Sequence, residues 1–148
     1  MTSTKEPGSN LRLERKLHST RERSYAVFTD PVEVSRWFMT KAEADLRVDG
    51  RYSNSDGDLG RFVAVEPPAR ISFTWENPSH CPGTLVDVTF EADGPESTVV
   101  VLEHTGFRSP EDVEQMKGGW SWALDSFRSY LETGEPIPHE TWLTEQND

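Results

Sequence analysis

A histidine ends the last segment that alternates like a β-strand, STVVVLEH at residues 97–104. Successive side chains of a strand point to opposite faces, so Glu103 and His104 cannot both face the interior. If Val100 and Leu102 face inward, His104 does too. A histidine in that position could orient a ligand or transfer a proton near neutral pH. The alternative, which we favour, is a structural histidine whose ring is hydrogen-bonded at the rim of the interior.

The other nucleophile and metal candidates form no reactive group of residues. Cys81 follows His80 directly, but adjacency in the chain sets no catalytic geometry, and HCPG is typical of a surface turn. The four histidines, at positions 18, 80, 104 and 139, lack a metal-ligand spacing such as H-x-x-x-H. The sequence also contains no glycine-rich phosphate loop and no evident acid–base pair. We therefore assign no catalytic residue, no metal ligand and no cofactor.

Charge and composition argue against several classes of protein. The 148 residues carry 15 Lys and Arg against 26 Asp and Glu, a formal net charge of −11. Such a surface repels phosphate backbones and anionic membranes, so we expect no nucleic-acid partner. No apolar run approaches the roughly 18 to 20 residues that span a bilayer, so we expect no membrane insertion. A single cysteine fits a reducing compartment, and residues 1–10 lack the apolar centre of a signal peptide. We expect a cytoplasmic protein with a disordered lead at 1–10.

The elements follow one another in an order typical of an α+β fold. Residues 11–17, LRLERKL, alternate like a half-buried strand. Thr20 is suited to cap a short helix that ends at Asp30, because the residue before a proline avoids helical dihedrals. A second short helix begins at Pro31. Five or six antiparallel strands then follow, separated by turn residues, and the first of them is AEADLRV at 42–48.

A long helix, from about residue 110 to 131 with Gly134 as its C-terminal stop, ends the strand-and-helix pattern. Its apolar residues form one stripe about 120° wide, which we expect to pack on the sheet: Trp120, Ala123, Leu124, Phe127, Tyr130 and Leu131. Trp122 points away from that stripe, to a polar face. Either the apolar tail at 135–148 folds back over it, which we favour, or a second copy covers it in a two-fold dimer. A third interpretation leaves Trp122 partly exposed.

Four segments, in order, resemble the Activator of Hsp90 ATPase homologue-like family of the START-like (SRPBCC) superfamily: ADLRVDGRY, GRFVAVEPPARISFTWE, TVVVLEHTGF and GWSWALDSFRSYLETG. Asp49 stands where a glycine is common in that family. The resemblance covers about residues 11–134. It implies a helix-grip fold like that of the birch pollen allergen, a curved antiparallel sheet wrapped around a long C-terminal helix. Two short helices follow the first strand, and a cavity lies between sheet and helix.

The resemblance makes large side chains on the elements that face the cavity the candidates for its lining. They are Trp37, Phe38, Tyr52, Phe73, Trp75, His104, Trp120 and Phe127. Core packing explains the same aromatic residues without any ligand. The two interpretations overlap, because pockets for small molecules are themselves mostly apolar.

Three classes of function agree with the resemblance. The first, which we favour, is a module that binds a small hydrophobic molecule in the cavity. The second is a chaperone-linked interaction protein, as the family name suggests. The third is an enzyme of the cyclase or hydrolase kind found elsewhere in the superfamily, for which buried polar groups would have to converge on the cavity. The chain is expected to be a monomer or a homodimer.

Overall fold

The structure, a computed structural model, describes residues 10–79 and 81–146. Its strands are β1 (Leu11–Leu17), β2 (Ala42–Ala44), β3 (Arg51–Asn54), β4 (Leu59–Glu66), β5 (Arg70–Trp75), β6 (Thr84–Gly94) and β7 (Ser97–Thr105). Its helices are α1 (Arg21–Thr29), α2 (Pro31–Trp37), α3 (Pro110–Thr133) and α4 (His139–Gln146). None of the helices in the described ranges is both long and apolar enough to cross a membrane.

The seven strands form one antiparallel sheet in the order β1-β7-β6-β5-β4-β3-β2. β1 is an edge strand and pairs along its whole length with β7, so that Leu11 lies opposite His104. The pairing shifts between Phe62 and Ala64 in β4, an irregularity of the kind that bends a sheet. The predicted α+β helix-grip fold, with two short helices after the first strand and a long C-terminal helix, is confirmed.

A single residue, Asp30, joins the two short helices and acts on both. Its N–H ends α1 by donating to a carbonyl of that helix at 2.9 Å. Its carboxylate begins α2 by accepting from the N–H groups of Val32 at 2.9 Å and Glu33 at 3.2 Å. Thr20 caps α1, as predicted. The Asp30 cap fixes where α2 begins, and this helix ends with Trp37 buried in the core.

The predicted strand at residues 42–48 is wrong beyond its third residue, because the chain turns after β2. The carbonyl of Asp45 accepts the amide two residues further on at 2.8 Å. Its oxygen also lies where a Cβ on Gly50 would have to be, so only glycine fits at this close approach. Leu46 and Val48, the last two apolar residues of the alternating segment, are consequently exposed. A local turn has therefore overridden the period-two pattern.

Helix α3 packs on the sheet with the predicted apolar stripe. Ser109 caps its start, accepting the N–H of Asp112 at 3.2 Å, and Gly134 ends it in the left-handed region with φ of 83°. The buried members of the stripe are Trp120, Ala123, Leu124, Phe127 and Leu131. Tyr130 is partly buried and its hydroxyl donates to Glu33 at 3.0 Å, which links α3 to α2.

The chain after α3 turns back and covers Trp122. The indole Nε1 of Trp122 donates to the carbonyl of Ile137 at 2.7 Å, and only 9% of the residue is exposed. The segment also contains helix α4, which the sequence analysis did not predict. Asp125 on α3 holds this helix, because one carboxylate oxygen accepts from Trp142 Nε1 at 2.9 Å and the other from Arg15 Nε at 2.8 Å. Asp125 thus ties α4 and β1 to α3.

Candidate functional site

An apolar cavity of about 100 Å³ lies between strands β2 to β5, helix α2 and helix α3. Six of the eight predicted cavity residues line it: Trp37, Phe38, Tyr52, Phe73, Trp75 and Trp120. Other apolar side chains complete the wall, among them Phe28, Val34, Ala44, Phe62 and Ile71. Its few polar lining residues are Thr29, Glu43, Ser53, Asn54 and Asp58. The cavity therefore combines a large aromatic surface with a small number of hydrogen-bonding groups.

The aromatic rings of the wall contact one another in pairs. Tyr52 meets Phe73 edge to face with ring centroids 5.3 Å apart, and Trp75 meets Trp120 in the same way at 5.6 Å. Phe38 stacks on Trp120 at 6.3 Å. These separations lie in the favourable range for aromatic pairs, roughly 4.5 to 7 Å. Each of these rings is therefore supported by another ring as well as by burial.

Phe127 and His104, the other two predicted residues, do not line this cavity. Phe127 is fully buried and packs against Phe28 and Trp37, with ring centroids 5.2 and 5.1 Å away. His104 is also fully buried and contacts Trp120, with centroids 6.3 Å apart. Both side chains therefore support residues of the cavity wall from the core.

Both ring nitrogens of His104 are hydrogen-bonded. Trp120 Nε1 donates to His104 Nδ1 at 3.0 Å, and because an indole nitrogen only donates, Nδ1 carries no proton. Nε2 therefore bears the proton and donates it to Thr84 Oγ1 at 2.7 Å, and Thr84 in turn donates to the carbonyl of Cys81 at 2.8 Å. Burial lowers the pKa of His104 to about 4. A neutral imidazole with neither nitrogen free is suited to orient Trp120 rather than to transfer protons.

Tyr52 is fixed at the edge of the cavity. Its hydroxyl donates to the carbonyl of Thr74 on β5 at 2.6 Å. Burial is the main reason that the pKa of Tyr52 is raised well above its ordinary value, and the carboxylates of Asp58 and Glu76 raise it further. The hydroxyl therefore keeps its proton as a structural donor and is not suited to acid–base chemistry.

A buried carboxylate, Asp58, borders the cavity and was missed in the sequence analysis. The residue is 8% exposed, and its two carboxylate oxygens accept from Asn54 Nδ2 at 2.9 Å and Asn77 Nδ2 at 2.8 Å. Both donors are neutral, and no Lys or Arg of residues 10–79 and 81–146 forms an ion pair with it. The segment SDGD at 55–58 indicated only a turn, because turns use the same residue types.

A wider surface groove of about 820 Å³ lies beside the cavity, between the end of α2, the middle of α3 and helix α4. Its apolar wall includes Met39 and Leu143, which are 50% and 43% exposed. Gly118 and Gly119 keep the α3 side open, since apart from the local helix backbone no atom lies within 4 Å of a Cβ built on either. Four residues border both spaces: Phe38, Asp58, Trp75 and Trp120. Three rings and one carboxylate are therefore common to the walls of the cavity and of the groove.

Comparison with protein families identifies the fold that carries this cavity. The family model described as "Activator of Hsp90 ATPase homolog 1-like protein" matches residues 18–132, from the residue after β1 through almost all of α3. The chain belongs to this family. The matched range includes all six predicted residues that line the cavity, so the cavity lies within the part of the chain that the family shares.

Individual proteins are similar to this chain in sequence or in fold. The uncharacterised protein C1711.08 of Schizosaccharomyces pombe is 32% identical over 74 residues, which are 49% of this chain and 22% of that relative. The chain thus spans only about a fifth of its length. The structure of CalU16 from Micromonospora echinospora has a TM-score of 0.78 at 24% identity, over 93% of this chain and 82% of CalU16. PFC0360w, an HSP90 activator from Plasmodium falciparum, has a TM-score of 0.76 at 24% identity, over 86% and 98%. At these identities the two structures show a shared fold.

Proposed function

We propose that the chain binds a small hydrophobic molecule in the cavity between the sheet and the helices. The supporting observation is a cavity of about 100 Å³ walled by aromatic rings. Protein interiors are close-packed and leave few voids larger than a water molecule. An apolar space with a few polar groups at its border is also the usual composition of a small-molecule site.

The volume limits what this cavity holds by itself. An apolar cavity of about 150 Å³ binds one benzene molecule, so a cavity of about 100 Å³ accommodates a smaller group. The adjoining groove offers about 820 Å³ and shares Phe38 and Trp120 with the cavity wall. A ligand that inserts one small apolar end into the cavity and lays the rest along the groove fits both spaces.

A neutral probe with a small apolar end tests this function. We expect 3-methyl-1-butanol to cause saturable shifts of the indole N–H resonances of Trp75 and Trp120, because both rings border the cavity and the groove. Ala44 lines the cavity on β2, so Ala44→Phe should fill it and abolish the shifts. Ala92→Phe adds the same ring at an exposed position of β6 and is the matched control. Saturable shifts that persist in Ala44→Phe would contradict binding in the cavity.

Native mass spectrometry of freshly purified protein provides a test that needs no chosen probe. We expect a co-purified molecule of low mass in the wild-type spectrum. It should be lost in Ala44→Phe and retained in Ala92→Phe, because only the first substitution occupies the cavity. A bound molecule that is retained equally by both variants would place the ligand elsewhere.

A second candidate function is interaction with a chaperone of the Hsp90 type. It is supported by the description of the matching family and by the description of PFC0360w as an HSP90 activator. The test is the ATPase rate of purified Hsp90 with increasing amounts of this chain. Stimulation that is unchanged by Ala44→Phe would support a chaperone function separate from the cavity. An unchanged ATPase rate at a large excess of the chain would contradict this function.

A further inference from the structure

We propose that the ligand is a small organic cation, apolar except for one ammonium group. The ammonium group lies beside Asp58, where the cavity and the groove meet. The inference rests on the proposed function, a hydrophobic-ligand site, and specifies the chemical class of its ligand. Three features of the described residues carry it: the charges along the walls, the hydrogen-bond partners of the Asp58 carboxylate and the rings that share both walls with it.

The charged side chains that line the two spaces have one sign. Glu43 and Asp58 border the cavity, and Asp56, Asp58 and Glu140 border the groove. The described residues of either wall include no lysine and no arginine. His139 is the one histidine among them. An anionic ligand such as a fatty acid would meet only like charge along this route, whereas a cation would be attracted along all of it.

Asp58 has capacity for a cationic partner. A buried carboxylate is costly to desolvate unless a cation or several donors compensate it. Asp58 is 8% exposed, yet the side-chain donors to its carboxylate among the described residues are the two neutral amides of Asn54 and Asn77. A carboxylate offers about four acceptor positions, so these two bonds leave about half of them open. The ammonium group of a ligand would supply both the missing charge and the missing donors.

The rings that line both spaces together with Asp58 suit the same class of ligand. Phe38, Trp75 and Trp120 border the cavity and the groove together with Asp58. The face of an indole attracts an ammonium group within about 6 Å of its centre, and more strongly where water is excluded. Trp120 is 5% exposed and Trp75 is 5% exposed, so both rings lie in such surroundings. An ammonium at this junction would therefore have a carboxylate and π faces as neighbours.

Three probes of similar size and different charge test the inference on the wild-type protein. They are 3-methylbutylammonium, 3-methyl-1-butanol and 4-methylpentanoate, whose shared branched alkyl end is smaller than benzene. The titrations are made at pH 8, above the ordinary pKa of histidine. The readout is the shift of the Trp75 and Trp120 indole N–H resonances. We expect the ammonium to bind about tenfold or more tightly than the alcohol, and the carboxylate to bind more weakly than the alcohol. The preference for the ammonium should fall as salt is added.

A pair of variants with the same change in net charge assigns the preference to Asp58. Asp58→Asn should abolish the preference for the ammonium over the alcohol. Glu96→Gln, at an exposed position in the β6–β7 turn, should leave both affinities unchanged. Circular dichroism checks that Asp58→Asn is folded. If this variant is not folded, the ranking of the three probes on the wild-type protein tests the proposed ligand class.

The possible results separate this inference from the proposed function. If the alcohol binds the wild-type protein as tightly as the ammonium, the ligand class is wrong and the hydrophobic site stands. If the ammonium is preferred equally by the wild-type protein and a folded Asp58→Asn variant, the placement at Asp58 is wrong. If none of the three probes shifts either indole resonance, both the inference and the proposed site are contradicted.

Discussion

Acid should destabilise this fold in a pH range set by His104. Its Nδ1 accepts from Trp120 and its Nε2 donates to Thr84, at 3.0 and 2.7 Å. A second proton can bind only at Nδ1, where it would face the N–H of Trp120. The folded state therefore resists protonation, and burial lowers the pKa of His104 to about 4 from 6.5. The unfolded chain, in which the histidine is hydrated, takes up that proton at the higher pH.

The pKa difference sets the size and the sign of the effect. A shift from 6.5 to about 4 corresponds to roughly 3 kcal/mol, at about 1.36 kcal/mol per pKa unit. Because the pKa is lower in the folded state, the unfolded chain binds more protons between these two values. The contribution of His104 to the free energy of unfolding is therefore fully present above pH 6.5 and falls progressively towards pH 4. Below pH 4 this residue causes no further loss of stability. By comparison, a typical domain is stable by only about 5 to 15 kcal/mol in total.

Urea denaturation followed by circular dichroism at pH 7.5, 6.5, 5.5 and 4.5 measures the effect. Many carboxylates titrate near the lower end of this range, so the wild-type protein is compared with His104→Gln. The glutamine amide also offers a donor group and an acceptor group. We expect the wild-type free energy of unfolding, minus that of the variant, to fall by about 2.5 kcal/mol between pH 7.5 and 4.5. A difference that stays constant within about 0.5 kcal/mol would refute the reasoning, as would an NMR titration of the imidazole near 6.5.

Two further predictions concern the tryptophans of α3. Trp120→Ala should lower the free energy of unfolding by about 3 to 5 kcal/mol, because it removes a buried ring and the donor to His104. Urea denaturation midpoints measure this change, and a loss below about 1 kcal/mol would show that the ring does not support the core. Deleting residues 136–148 should red-shift the emission of Trp122, taken as the difference from a Trp122→Phe background, because its partner Ile137 is removed. The shift should be equal at all protein concentrations, and one that appears only on dilution would indicate a dimer instead.

Local patterns were sufficient to predict most of the fold from the sequence. The Thr20 cap and the helix end at Asp30 are set within a few residues, and the stripe of α3 follows from the period of one helix. The two errors arose where distant contacts decide. β2 stops early because the backbone approaches Gly50 closely, and α4 forms where Trp142 reaches Asp125 on another helix. Neither contact has a signature in a short stretch of sequence.

The candidate site was harder to predict, because the same residue types serve the core and the cavity. Phe73 and Phe127 are both buried aromatic residues with the correct periodicity, yet only Phe73 lines the cavity. The curvature of the sheet and the position of α2 decide between them, and neither is encoded in the spacing of aromatic residues. Asp58 was missed for the opposite reason. Its turn is visible in the sequence. Its burial, however, depends on a contact with Asn77, which follows β4 and β5 in the chain.

The free-energy cost of leaving the cavity empty indicates how much binding affinity a ligand could gain by filling it. An unfilled cavity costs about 24 cal/mol for each Å³, so about 100 Å³ corresponds to roughly 2.4 kcal/mol. A ligand group that filled the cavity would recover about this amount, which is less than the roughly 4.1 kcal/mol of a millimolar complex. Filling the cavity is therefore insufficient for useful affinity by itself. The remainder must come from the groove and from polar contacts at its junction with the cavity, where Asp58 is the buried charge.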